Sequence, residues 1–101
     1  MSTLEDRLYI GSRAKEVIEN EAYIQAFEQI EAEIIEQWKT APLRDVEGRE
    51  RLHQFLTMLN KVRATLQSTM ETGKLAELEL QHKRTLQERA KDAMQQFSDP
   101  Y

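Results

Sequence analysis

The chain has 101 residues, with 18 acidic and 14 basic side chains, a net charge of −4 and no cysteine. This length suits a single domain, residues 1–101, and the lack of cysteine excludes a disulfide framework, thiol chemistry and cysteine zinc ligation. No apolar run approaches the roughly 20 residues that span a bilayer, so we expect no membrane contact.

The first predicted helix covers residues 3–19. Thr3 is placed to cap it by accepting a hydrogen bond from the backbone N–H of Asp6. Gly11 lies in its interior at a cost of about 1 kcal/mol relative to alanine, which leaves two readings: a soft helix, or the close approach of a neighbouring backbone. Its apolar face is thin and consists of Leu4, Leu8, Ala14, Val17 and Ile18.

The second predicted helix covers residues 21–39, after Asn20 as its N-cap. Its outer face is acidic and carries almost no basic side chain, and Pro42 ends it. We expect Trp38 to close the loop end of the core, with its ring N–H reaching a loop carbonyl. The apolar face repeats at steps of three and four through Tyr23, Phe27, Ile30, Ile34 and Trp38.

The central predicted helix covers residues 46–72, with Asp45 as its cap. Its apolar stripe runs from Leu52 to Met70 and needs a covering helix, because an isolated amphipathic helix is marginally stable. The second helix is the best cover, which predicts an antiparallel helical hairpin. The predicted core is Phe27, Ile30, Ile34, Trp38, Leu52, Phe55, Leu56, Leu59, Val62 and Leu66.

Residues 74–98 form a further helical segment with a thinner apolar stripe. If Gly73 is tolerated, this segment continues the central helix; if Gly73 ends that helix, the chain turns back and completes a small bundle. The predicted fold is therefore all-α, a hairpin or small bundle with a long C-terminal helix. We expect this half to join copies of the chain into a homo-oligomer, with interaction residues Leu75, Leu78, Leu86 and Phe97.

The charge is uneven: residues 1–50 carry 12 acidic and 6 basic side chains, and residues 51–101 carry 6 acidic and 8 basic ones. The halves have net charges of −6 and +2. An acidic half argues against nucleic-acid binding, which needs clustered Lys and Arg. These charges are interpreted mainly as solvated helix faces.

Two Glu-x-x-His pairs, Glu50 with His53 and Glu79 with His82, have the spacing found in di-iron helical bundles. Chance pairs are expected in so Glu-rich a chain, and Glu50 lies beside a loop, so we predict no metal site. No phosphate-binding loop, nucleophile elbow or catalytic triad spacing occurs. We therefore predict no catalytic residue, no cofactor and no enzymatic activity.

Residues 22–79 resemble a group of small helical proteins of tailed bacteriophages and prophages, often encoded among virion-assembly genes. The similarity rests on EQWKTAPLRDVEGRERL, followed by LNKVRATLQSTMETGKLAE. It covers a little over half of the chain and implies a setting, the host bacterial cytoplasm or the virion, but no catalytic residue.

Two binding functions and one chemical function follow as hypotheses. The first is a phage structural or assembly protein that acts by helix packing with itself or with other phage or host proteins. The alternative is a small acidic inhibitor that binds a basic surface of a host defence or nucleic-acid-binding protein. An enzyme or metal protein ranks last.

Overall fold

The computed structural model describes the backbone of residues 3–98 and the side chains of residues 3–96. This part of the chain contains three helices, α1 (Leu4–Ile18), α2 (Glu21–Thr40) and α3 (Val46–Ser98), and no strand. The all-α prediction is confirmed.

The helix starts follow from three capping side chains. Thr3 and Asp6 form a reciprocal capping box at α1, and the Asn20 side chain caps α2. The Asp45 carboxylate accepts from the backbone N–H of Gly48 at 3.1 Å in the first turn of α3. Each side chain satisfies an N–H group that the helix itself leaves unpaired, and the three predicted caps are confirmed.

The 53 residues of α3 pass through Gly73 without a break. At 1.5 Å per residue this helix is about 80 Å long, which accounts for most of the 87 Å length of the molecule. Residues 74–98 therefore continue the central helix, which is the first of the two alternatives given above. Gly73 keeps a negative φ, so its role in α3 is not to reverse the chain.

Both shorter helices lie antiparallel to α3, one after the other. As the chain advances through α1 and then α2, the facing position on α3 moves back towards its start. Residues 88–96 of α3 extend beyond α1 and are all exposed. The facing pairs, in chain order, are Gly11 with Gly73, Phe27 with Arg63, and Trp38 with Arg49.

The core is thinner than the sequence predicts. Among the described residues the buried apolar side chains are Ala14, Phe27 and Ala76. The prediction that Ile30, Trp38, Phe55 and Val62 are core residues is wrong, since each is 45–55% exposed. The other predicted core residues, Ile34, Leu52, Leu56, Leu59 and Leu66, are half-buried.

Four predicted core residues are exposed because the structure has only two layers. A helix with one neighbour buries a narrow strip, and the apolar arc of α3 is wider than that strip. Phe55 and Val62 lie beside the strip that α2 and α1 cover, so they stay in solvent. The sequence pattern therefore indicates how much apolar surface of α3 favours burial, and the helices of a single chain bury only part of it.

The solvent-accessible surface area shows how much of the chain remains uncovered. The chain exposes 8654 Å², whereas a compact monomer of 11.9 kDa exposes about 6,000 Å². Its radius of gyration is 23.7 Å, compared with about 13 Å for a compact domain of this length. The molecule is strongly elongated.

Candidate interaction surfaces

The crossing of α1 and α3 brings two backbones into contact. A β-carbon added at Gly11 would lie 2.6 Å from the α-carbon of Gly73, and one added at Gly73 would lie 2.7 Å from the α-carbon of Gly11. Ala14 and Ala76, each three residues further on, are buried beside this crossing. Of the two readings of Gly11, the structure has the close approach of a neighbouring backbone. α1 is therefore fixed against residues 68–87 of α3.

The contact between α2 and α3 includes a charged side chain within the apolar stripe. The Arg63 guanidinium carbon lies 3.9 Å from the centre of the Phe27 ring, and an Arg63 nitrogen lies 3.6 Å from a Glu31 carboxylate oxygen. The Arg63 guanidinium thus stacks on the buried Phe27 ring, and one of its nitrogens reaches Glu31 at the partly exposed edge of the contact. This pair sets the register of α2 along α3.

The loop end of α2 is held by Arg49 and not by the Trp38 ring N–H. The Arg49 guanidinium stacks on the Trp38 ring at 4.8 Å and donates to the carbonyl oxygen of Ala41 at 3.4 Å. Trp38 itself is half-exposed. The expectation that the Trp38 N–H reaches a loop carbonyl is wrong, because among the described residues the contact of this ring at the loop end is the stacked Arg49 guanidinium.

One side of the α2/α3 pair forms a shallow apolar cleft of about 330 Å³. Its wall is almost entirely carbon, so it offers shape but few hydrogen-bonding groups to a ligand. The sequence placed four of its members in the core, and the structure places them around an open cleft. The lining residues are Ile34, Ile35, Trp38, Leu52, His53 and Leu56.

The opposite side of the molecule carries a longer apolar surface, which we call the apolar flank. It consists of Ile10, Val17, Ile30, Phe55, Met58 and Val62, each 40–61% exposed. Ile10 lies beside Ser68, Thr69 and Thr72. Thr69 and Thr72 follow Phe55, Met58 and Val62 at helical spacing on one face of α3, so Ile10 lies on the same side of α3 as these three residues.

The rest of the flank follows from helical spacing. Val17 follows Ile10 by two turns and lies on the same face of α1. Ile30 is about 140° around α2 from Ile35, which lines the cleft, so it lies towards the other side. Six large apolar side chains therefore share one face.

Two arginines of α1 lie near the flank: Arg7, which lines the same hollow as Ile10, and Arg13, one turn after Ile10. The hydrogen bonds of Arg13 are local. Arg13 donates from Nε to the Tyr9 hydroxyl at 3.2 Å and forms an ion pair with Glu16 at 3.1 Å. These hydrogen bonds, first to Tyr9 and then to Glu16, raise the pKa of the Arg13 guanidinium. The charge is thus paired within its own helix and does not extend over Ile10 or Val17.

A second uncovered surface follows the C-terminal half of α3, and we call it the C-terminal stripe: Leu75, Leu78, His82 and Leu86. Its three leucines are each at least half exposed. Leu75 comes two residues after Gly73, about 200° around the helix, so the stripe points away from α1. Of the predicted interaction residues, Leu75, Leu78 and Leu86 are therefore in solvent, and the Phe97 side chain lies outside the described residues.

The outer face of α2 is acidic and open to solvent. Glu21, Glu28, Glu33 and Glu36 are all exposed. In the described part of the chain, Glu31 is the α2 carboxylate that forms an ion pair, with Arg63. Such a face is available to a basic partner.

The four residues of the two Glu-x-x-His pairs are all exposed on α3. Within residues 3–98 there is no group of three or more His, Cys, Asp or Glu side chains arranged to hold a metal ion. No helix in this part of the chain is both long enough and apolar enough to cross a bilayer.

Comparison of the chain with protein-family models, with curated proteins and with solved structures finds no match.

Proposed function

We propose that this protein is a non-enzymatic assembly protein that acts through helix-mediated protein–protein contacts, as a homo-oligomer or as a subunit of a larger structure. The observation that carries the proposal is the excess surface. The chain exposes 8654 Å², about 2,700 Å² more than a compact monomer of its mass. An excess of this size is comparable to the area that an obligate interface buries.

The C-terminal stripe is the contact that we propose for assembly. Leu75, Leu78 and Leu86 lie on the side of α3 that faces away from α1, and residues 88–96 extend beyond both shorter helices. In this proposal, α2 and the first part of α3 act as an antiparallel helical hairpin from which the C-terminal half of α3 extends. Other chains then complete the bundle that the hairpin begins.

The biological setting is proposed from the sequence. The resemblance of residues 22–79 to small helical proteins of tailed bacteriophages supports a role in virion assembly, in the host bacterial cytoplasm or in the virion. We propose no catalytic group, cofactor or nucleic-acid contact. The partners are other protein chains.

Sedimentation velocity over a range of protein concentrations tests the proposal. The wild-type chain should form a species heavier than 11.9 kDa, and Leu78→Glu should weaken that assembly because it places a charge within the stripe. The matched control is Gln81→Glu, which adds the same charge outside the stripe, about 60° around the helix from Leu78 and 100° from His82. A wild-type chain that stays monomeric and binds no other chain in an infected-cell extract would contradict the proposed function.

A second candidate function is an acidic inhibitor of a basic host protein. The specific observation is the row of exposed glutamates on α2, which has Lys39 as its nearest basic residue at the end of the helix. Binding through this face should weaken steeply as salt is raised, because exposed charges are screened. Complex formation that survives about 1 M salt, where the screening length is about 3 Å, would favour apolar assembly instead.

A further inference from the structure

The apolar flank continues along α3 as a regular stripe. Phe55, Met58, Val62, Thr65, Thr69 and Thr72 follow one another at steps of three and four, and none is charged. Alternating steps of three and four residues are the heptad pattern of helices that wrap around a partner helix. α3 therefore carries two such stripes. The one with Leu52, Leu56 and Leu59 faces α2; the flank stripe is exposed from Phe55 to Thr65, and its continuation at Thr69 is half-buried beside α1.

We infer that the apolar flank binds a second copy of this chain, with the two-fold axis parallel to the helices. In that arrangement α3 of each copy packs against α2 of the other copy, and the two hairpins form a four-helix bundle. The flank is a different surface from the C-terminal stripe, so this dimer is a further step beyond the proposed function.

The area of the flank suits a dimer. Its six side chains are 40–61% exposed, which leaves roughly 500 Å² uncovered per chain and about 1,000 Å² in two copies. The neighbouring polar residues bring the total towards the 1,200–2,000 Å² of a stable interface. An interface of this size would bury about a quarter to a third of the excess surface of the two chains.

Charge complementarity selects the second copy and the direction of the axis. The α3 edge of the flank carries Arg51 and Lys61, and the α2 edge carries Glu33, all three exposed. Because this axis places each α3 edge on the partner's α2 edge, basic side chains meet an acidic one. A perpendicular axis would place α3 on α3, and Arg51 and Lys61 would then meet a like-charged edge.

The register agrees with this pairing. Within the chain Arg63 faces both Glu31 and Phe27, and Arg49 faces Trp38. Counted along the antiparallel helices from these pairs, Glu33 lies level with residues 54–61 of α3, between Arg51 and Lys61. A two-fold axis parallel to the helices leaves heights unchanged, so the partner's Glu33 lies within reach of the basic side chains on this edge. Counted from the two Arg63 pairs, Val62 comes within two residues, about 3 Å along the axis, of the partner's Ile30.

The experiment is sedimentation equilibrium of the full chain at moderate salt, with circular dichroism to verify that each variant is folded. The wild-type chain should form a dimer of twice 11.9 kDa. Met58→Glu should raise the dimer Kd at least about tenfold, because it buries a charge in the flank. The control Asn60→Glu adds the same charge outside the flank and should leave Kd unchanged within about twofold.

Exchanging the charges of Lys61 and Glu33 tests the proposed pairing of the α3 edge with the partner's α2 edge without changing any apolar side chain. This experiment tests the dimer even if Met58→Glu fails to fold. Lys61→Glu and Glu33→Lys should each raise Kd, and the double variant should return it to within about threefold of the wild type. A monomeric wild-type chain, a folded Met58→Glu dimer of unchanged Kd, or a double variant no better than the singles would each overturn the inference.

Leu78→Glu separates this inference from the proposed function. Self-association that is weakened by Leu78→Glu and not by Met58→Glu overturns the flank dimer and leaves the C-terminal stripe as the contact. The reverse result supports the flank dimer and removes the C-terminal stripe from self-association.

Discussion

Gly11 and Gly73 face each other where α1 crosses α3, so closely that a β-carbon on Gly11 would lie 2.6 Å from the α-carbon of Gly73. Neither glycine has a positive φ, so each is present for its small size and not for its conformational freedom. The contact places backbone against backbone, and a neighbouring side chain cannot yield to relieve a clash.

Replacing either glycine of this pair should therefore destabilise the fold. Gly73→Ala favours helix by about 1 kcal/mol, but the forced separation of α1 from α3 should cost more and lower the free energy of unfolding by about 1–3 kcal/mol. Chemical denaturation measures the change. Lys74→Ala, an exposed neighbour on the same helix, is the control and should be nearly neutral. If Gly73→Ala were stabilising, the backbone contact would be disproved.

Leu56 tests the contact of α2 with α3. It lines the cleft with Ile34 and Trp38 and is half-buried, so Leu56→Ala should lower the free energy of unfolding by about 1–3 kcal/mol, less than a fully buried leucine loses. The control is Leu43→Ala, at a loop residue that is 85% exposed. Equal effects of the two substitutions, measured by denaturation, would remove Leu56 from the contact.

Tyr23 offers a substitution that should stabilise the protein. Its hydroxyl oxygen is buried, and no described residue forms a hydrogen bond with it, while its ring lies 5.8 Å from that of Phe27. Tyr23→Phe keeps the ring contact and removes an unpaired polar group, so it should raise the free energy of unfolding by up to about 1 kcal/mol.

The matched control for Tyr23 is Tyr9→Phe. The Tyr9 hydroxyl is exposed and accepts a hydrogen bond from Arg13, so this change should be neutral or slightly destabilising. A loss of stability in Tyr23→Phe, seen by thermal denaturation, would indicate that the Tyr23 hydroxyl has a hydrogen-bond partner.

Truncation tests which part of α3 holds α1. Removing all residues after Gln87 leaves the crossing at Gly73 intact, and α1 should keep its protection from amide hydrogen exchange. Removing all residues after Thr72 takes away Gly73 and Ala76, and α1 should exchange freely, because an isolated helix of 15 residues is marginal in water. Protection of α1 in the shorter chain would show that its docking does not need the crossing.

Local chemistry by itself determined much of this protein. Helical composition, the capping side chains Thr3, Asn20 and Asp45 and the stop at Pro42 act within a few residues, so the all-α class and the helix starts could be predicted. The spacing of the stripe from Leu52 to Met70 likewise indicated which face of α3 needs a cover.

Only the tertiary structure decided what covers that face. A glycine within a helical sequence looks the same whether it weakens the helix or allows another backbone to approach. The role of Gly11 depends on Gly73, which is distant in the sequence. Whether Phe55 and Val62 are buried depends on how many helices pack around α3. The spacing of apolar residues in the sequence indicates how wide the apolar face of a helix is, but not how many helices cover it. One chain supplies at most one neighbouring helix at each level of α3, and its uncovered faces follow from that geometry.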